Sequence, residues 1–217
     1  MNFIKLLFSV CLIASYCFGL KTINAANEIK ATVTMGESRT VQGNEFYVYK
    51  DIGSRLNHFI PSGWMGNTKA IKMNQKVSVD GKSLDDTCIK FSFTPSKEDT
   101  VTWAGVYWQF PANNWGTIDR AYDLSIYKKM KFKVRGEVGK EYINSFGIGG
   151  ITGTTASGDS GNAEIGPIEL TKEWKEYEIN LDGVDLSHII GGFVWSIDGD
   201  FNQGPTSFYL DEIRFVK

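Results

Sequence analysis

Histidine appears only twice in this sequence, cysteine three times and proline five times. Each shortage closes off a class of chemistry. His58 and His188 lie far apart, and with so few Cys they compose no zinc set of recognisable spacing. Two of the cysteines, Cys11 and Cys17, sit in an N-terminal apolar run. The third, Cys88 in "TCIKFSF", has no partner left for an intramolecular disulfide and reads as a small buried residue on a strand. No block of basic residues occurs, and 23 Lys and Arg stand against 25 Asp and Glu, which argues against nucleic acid as a partner. Helical periodicity is nearly absent. No internal repeat, linker or second-domain boundary interrupts the chain.

What is present begins with a leader. Lys5 precedes an apolar run from Leu6 to Leu20, and the small residues Ala25 and Ala26 follow. This is the layout of a secretory signal peptide over residues 1–26, too short for a good membrane span. Val10 before Cys11 and Tyr16 before Cys17 do not suit a lipoprotein site. Secretion, to a periplasm or the cell exterior, is the expected localisation. Cleavage removes Lys5 and Lys21, so 23 − 2 = 21 basic residues remain against 25 acidic ones, a net charge of −4. Residues 27–217 then form one domain, long enough to stand on its core without staples.

Alternation of apolar and polar residues carries the fold reading. "EIKATVT" alternates Ile29, Ala31 and Val33, "TCIKFSFT" alternates Ile89, Phe91 and Phe93, and "KKMKFKVRG" alternates Met130, Phe132 and Val134 with basic residues. "WKEYEINL" sets Tyr177, Ile179 and Leu181 on one side, and "TSFYLDEIRFV" closes the chain. These are strands with one face to a core and one to water. About nine or ten of them predict an all-β fold, a two-sheet antiparallel β-sandwich of jelly-roll type. Only "DLSIYKK" and "DLSHII" read as single helical turns, each opened by a residue able to cap. The polar loop "GITGTTASGDSGNAE" is too long for a hairpin turn and is either disordered or part of a binding edge.

The densest chemistry is "WAGVYWQFPANNWG", Trp103 to Gly116. A period of two puts Ala104, Val106, Trp108 and Phe110 on a core face and Trp103, Gly105, Tyr107 and Gln109 on the other. The second set is poor core material. It suits a sugar, whose apolar C–H faces stack on Trp and Tyr while its hydroxyls take amide donors and acceptors. Beyond Pro111 the chain must leave the sheet, placing Asn113, Asn114 and Trp115 at its rim. Trp64, in the Pro/Gly-rich "IPSGWMGN", either binds or anchors its loop. Trp174 and Trp195 read as structural.

Enzyme signatures fail. Ser160 of "SGDSGN" stands in a Gly-Asp-Ser-Gly frame, but His58 lacks the surroundings of a protease base. No paired-carboxylate strand of a glycosidase appears, and "GIGGITG" has no following helix for a dinucleotide. "DGDFNQG" spaces Asp198, Asp200 and Asn202 like the start of a calcium loop, yet Gly204 comes one place late and Tyr209 replaces the closing Glu. It reads as a polar turn. The chain is not expected to be an enzyme.

The segments "NHFIPSGWMGN", "DDTCIKFSF", "WAGVYWQFPANNWG", "AYDLSIYKKMKFKVRGE", "GIGGI", "LTKEWKEYEINLDGVDLSHIIGGFVWSI" and "TSFYLDEIRF" together resemble secreted bacterial carbohydrate-binding jelly-roll modules of galactose-binding-like fold. The resemblance spans residues 45–216. It implies non-catalytic glycan binding on a concave face or at loop tips, and often a structural calcium ion. Carried over, the calcium position is Asp211 of the last strand, with Asp51 of "YKDIG" as second candidate. Such modules often accompany glycoside hydrolases or belong to surface proteins. No hydrolase segment stands beside this one, so the protein is expected to act alone or with a separate partner, a glycoside hydrolase or a surface protein. Trp115, Tyr107, Trp64 and Trp103 are the candidate stacking residues, Gln109, Asn113 and Asn114 the hydrogen-bonding ones, and Arg135 joins them if its strand faces the same groove. The alternative is a surface or envelope module that meets another protein through the same aromatic rim.

Overall fold

The computed structural model describes residues 39–81, 86–152 and 157–217. The leader expected at residues 1–26, the strand expected at "EIKATVT" and part of the Gly/Ser-rich loop lie outside the described residues. In chain order the first strands are β1 (Arg39–Thr40), β2 (Glu45–Tyr49), β3 (Ile60–Gly66), β4 (Ile71–Ser78), β5 (Thr87–Phe93), β6 (Trp103–Gln109), β7 (Tyr122–Asp123) and β8 (Lys129–Gly136). There follow β9 (Tyr142–Ile143), β10 (Ser145–Gly149), β11 (Asn162–Ile165), β12 (Ile168–Glu169), β13 (Lys175–Asn180), β14 (Gly191–Asp198) and β15 (Thr206–Val216). Most of the excess over the nine or ten expected from alternation comes from β1, β7, β9 and β12, which are two residues long and too short to show a period.

Two antiparallel sheets face each other. One has the order β11-β10-β14-β6-β3, the other β13-β8-β15-β5-β4. β2 joins the second sheet along β15 beyond the point where β5 leaves it, pairing Phe215 with Phe46. The all-β, two-sheet sandwich read from the alternation is the fold of the protein. Its core is built by inward positions of both sheets. Phe91 of β5 meets Trp108 of β6 and Trp195 of β14 with ring centroids 5.8 and 4.7 Å apart, and Phe132 of β8 meets Phe146 of β10 at 4.8 Å. All five rings are fully buried, and burying such a side chain is worth about 1.5–3 kcal/mol each. Trp108, Trp195, Cys88 and the Ile179–Leu181 face are core, as their alternation requires.

The two expected helical turns are not helical. At "DLSIYKK" the Asp123 carboxylate accepts from the Ser125 N–H and hydroxyl, and at "DLSHII" the Asp185 carboxylate accepts from the Ser187 N–H. An Asp two residues before a Ser closes a side-chain turn, and nothing after it continues into a helix. One 3-10 turn stands at Thr68–Ala70. The Gly/Ser-rich loop joins β10 directly to β11, whose first pair is Gly149 with Asn162.

The outer faces of the two sheets differ in chemistry. On the six-stranded sheet Lys129, Lys131 and Lys133 project from β8 and pair with Glu178, Glu176 and Glu212. These partly exposed ion pairs contribute about 0–1 kcal/mol each and keep the face wet. The five-stranded sheet presents something else.

Candidate functional site

Alternation along β6 turns Trp103, Gly105, Tyr107 and Gln109 away from the core, since Ala104, Val106 and Trp108 are buried inward. Register extends that face across the sheet. Gly105 lies opposite Met65 of β3 and Ser196 of β14, and Ser196 opposite Ser145 of β10. Tyr107 lies opposite Val194, which in turn faces Gly147, and Gly147 faces Glu164 of β11. These rows carry no Lys or Arg among the described residues. Gly105 is the small residue between Trp103 and Tyr107, and Met65 packs over it: a Cβ there would stand 2.6 Å from the Trp195 carbonyl oxygen and 3.1 Å from Met65 Cε. Four residues of extended chain separate the two rings, roughly 13 Å, a span longer than one sugar ring.

Trp103 is 41% exposed and Trp115 is 38% exposed. Trp115 reaches the platform from the loop after β6, meeting Tyr107 edge-on at 5.9 Å. The Tyr107 hydroxyl donates to the Gly149 carbonyl at 3.0 Å. Burial, with the carboxylates of Asp159 and Glu164 adding to it, pushes that phenol up to about 12, so it stays a neutral donor at physiological pH. Ser145 and Ser196 share a 2.9 Å hydroxyl pair on the same face. Asn113 stands exposed at the loop tip with φ of 60°, its N–H on the Ser62 hydroxyl at 2.8 Å. Asn tolerates that left-handed conformation better than most residues.

Four sequence expectations are corrected here. Gln109 is fully buried: its Nε2 donates to the Asn114 carbonyl and its Oε1 accepts from Ser62. Asn114 is fully buried as well. Its Oδ1 accepts from the N–H groups of Gly116, Thr117 and Ile118, and its Nδ2 donates to the carbonyls of Phe110 and Ile118. Both amides are consumed in building the loop that carries Trp115, and neither reaches the platform. Trp64 pairs with the inward residue Val106 and packs against the core, its Nε1 on the Pro61 carbonyl at 3.2 Å. Arg135 projects from β8 of the other sheet, over the Tyr209 ring at 3.8 Å and the Trp174 ring at 5.3 Å. A residue missed by the sequence reading is Asp159, half-buried beside Tyr107 and discussed below. The signal for it is a lone Asp in a loop of small residues that the sequence leaves as either disordered or part of a binding edge.

Asp211 and Asp51, the calcium candidates, lie near the point where β5 gives way to β2 along β15. Asp211 is 3% exposed, and its Oδ1 has no hydrogen-bond partner. Burial first, then the charges of Glu212, Asp86 and Asp51, pushes its carboxyl up to about 7, against the pull of the Glu212 N–H. Asp51 spends Oδ1 on the Thr87 N–H at 2.9 Å. Asp211 fits the part of one calcium ligand, but among the described residues no group of three His, Cys, Asp or Glu is gathered closely enough to hold a metal ion. A bound ion would have to take further oxygens from backbone carbonyls. The "DGDFNQG" segment is a structural turn: Asn202 is buried and bonds the Tyr142 backbone on both sides, as well as the Asp198 carbonyl.

No family model matches the chain, and no curated protein matches it. Solved structures do. A family 30 carbohydrate-binding module superposes with a TM-score of 0.53 over 80% of this chain and 98% of the module, at 14% identity. The family 30 module of a Clostridium thermocellum cellulosomal cellulase gives 0.52 over 80% of this chain and 97% of the module, again at 14% identity. At that identity the likeness is one of fold, and the chain has the β-sandwich fold of these carbohydrate-binding modules.

Proposed function

We propose that the outer face of the five-stranded sheet binds a glycan chain without turning it over. One observation carries this reading: Trp103 and Tyr107 share the outward face of β6 with only Gly105 between them, and Trp115 extends the aromatic surface from the adjoining loop. The exposed Trp103 and Trp115 rings, with half-buried Tyr107 and the Met65 side chain over Gly105 beside them, offer sugar C–H faces somewhere to stack, and the hydroxyls of Ser145 and Ser196 and the amide of Asn113 offer orientation. The shared fold with carbohydrate-binding modules supports the same reading. Asp159, the half-buried acid beside Tyr107, has both oxygens engaged by backbone N–H groups, which suits a binding face better than an acid–base centre. Export by the N-terminal leader fits a polysaccharide ligand, with a separate glycoside hydrolase or a surface protein as partner.

The test is affinity electrophoresis of residues 27–217 through a panel of glucans, mannans and galactans. Retardation by at least one polysaccharide, lost in Trp115→Ala, is the expected result. A folded domain that migrates freely through the whole panel would overturn the reading. Capture of one stoichiometric protein partner, insensitive to sugars, would then assign the aromatic rim to a protein interface.

A further inference from the structure

Tyr107 does not rest on the main core. Its ring packs against a separate small apolar cluster of Ala121, Ile151 and Ile190 on the outer side of the sheet. Gly191 completes the seat: a Cβ there would lie 3.3 Å from Tyr107 Cδ1, 3.2 Å from Ile151 Cδ1 and 3.0 Å from Asp159 Oδ2. Three side chains, one from β6 and two from the loop between β10 and β11, therefore converge on one glycine.

Three residues of this seat are held by one carboxylate. Asp159 Oδ1 accepts from the N–H of Ile190 at 2.6 Å and of Gly191 at 3.0 Å, while Oδ2 accepts from the N–H of Ile151 at 2.8 Å. The Asp159 N–H in turn donates to the Ile151 carbonyl at 2.8 Å. The next residue continues the clamp, with the Ser160 hydroxyl donating to the Asp185 carbonyl and accepting from the His188 N–H. At its far end the Tyr107 hydroxyl is on Gly149, two residues before Ile151. The ring is thus placed at its edge and at its hydroxyl by backbone that Asp159 ties together.

We propose that Asp159 is the positioning residue of the Tyr107 platform, and that its ionised carboxylate keeps the platform competent. The functional consequence rests on the glycan-binding reading; the geometry does not. A carboxylate accepting three N–H bonds holds them more firmly than a neutral acid, which turns one oxygen into a donor. Desolvation by burial raises the Asp159 pKa above the ordinary value, while the N–H bonds from Gly191, Ile190 and Ile151 and the nearby His188 pull the other way. Besides His188, the titratable group facing it is the Tyr107 phenol, and Asp119 lies 3.8 Å from the His188 ring nitrogen. Acid therefore loosens the seat at a pH above that where an ordinary carboxyl protonates.

Two readouts test this. The first needs no glycan: the NMR shift of the Trp115 indole N–H, whose ring meets Tyr107 edge-on, followed from about pH 8 down to about pH 4. The wild type is expected to show a step with a midpoint above the ordinary Asp range, absent in Asp159→Asn and retained in Asp185→Asn. A step that survives in Asp159→Asn and vanishes in His188→Gln would overturn the proposal. The second is retention by whichever polysaccharide binds the wild type, expected about tenfold weaker in Asp159→Asn. If the indole follows Asp159 but no glycan binds, the positioning role stands and the glycan reading falls. If a glycan binds and both readouts ignore Asp159, the positioning role falls and the glycan reading stands.

Discussion

Trp115 meets Tyr107 edge-on, with ring centroids 5.9 Å apart and planes at 83°. One ring belongs to a strand and the other to the loop that follows it, so the surface they make depends on two different devices. Tyr107 is turned outward by sheet register and seated by the backbone that Asp159 ties together. Trp115 is set by the buried amide of Asn114, whose five hydrogen bonds shape the turn on which it stands.

Removing an exposed ring should therefore separate binding from folding. Trp115→Ala and Trp103→Ala are expected to weaken glycan retention while changing unfolding free energy by less than about 1 kcal/mol. Trp108, on the same strand but facing the core, should behave oppositely. Trp108→Ala should cost about 3–5 kcal/mol by leaving a cavity among Phe91 and Phe193. Urea denaturation beside affinity electrophoresis checks the contrast, and a Trp115→Ala variant that unfolds like Trp108→Ala would place Trp115 in the core.

Asn114 should affect binding without touching the ligand. Asn114→Ala leaves three N–H groups and two carbonyls of one turn without their partner, a loss of about 2–4 kcal/mol, and releases Trp115 from its place. Asn113 carries no such network. With its φ of 60°, Asn113→Gly should be near neutral for stability, whereas Asn113→Val should cost about 1–2 kcal/mol for the left-handed backbone. Thermal unfolding of the three variants ranks them, and equal effects at both asparagines would contradict the separate roles.

The contrast between these neighbours also marks what could be read from the sequence. Strand alternation is a local property, so Trp108 inward and Tyr107 outward follow from period two alone, and the sandwich follows from many such strands. Whether an outward amide meets water or a covering loop is not local. Gln109 sits on the outward side of β6, yet Ser62 from β3 and the Asn114 carbonyl close over it. Arg135 follows the alternation of its strand, but which sheet that strand joins is decided by pairing with β15 and β13, far along the chain. Trp64 turned inward because β3 pairs with β6 through a bulge between Pro61 and Gly63, which resets the alternation.

Arg135 should then matter for stability alone. Its guanidinium lies over the Tyr209 ring at 3.8 Å and near Trp174. Arg135→Ala is expected to cost about 0.5–2 kcal/mol through the lost cation–π contact and stem packing. Lys should rescue only part of it, since an ammonium does not stack as a plane. Glycan retention should match the wild type in both variants, and a binding defect in Arg135→Ala would move the site to the other sheet.

Asp211 gives the fold a pH dependence of definite sign. In the unfolded chain its carboxyl ionises near the ordinary value of 3.8, and in the fold only near 7. Between those values the folded state holds a proton that the unfolded state has lost, so this group's contribution to stability falls as pH rises from about 4 to about 7 and is level outside that window. Asp211→Asn keeps the shape, removes the buried charge and should flatten that slope while raising the unfolding midpoint at pH 8. The same penalty is what a bound cation would relieve at the orphaned Oδ1. Unfolding at pH 8 with calcium and with chelator therefore separates two cases. A calcium-dependent rise in the wild type that is absent from Asp211→Asn makes Asp211 an ion ligand. An unchanged midpoint leaves protonation as the relief, and a slope that persists in Asp211→Asn would assign the titration to another group.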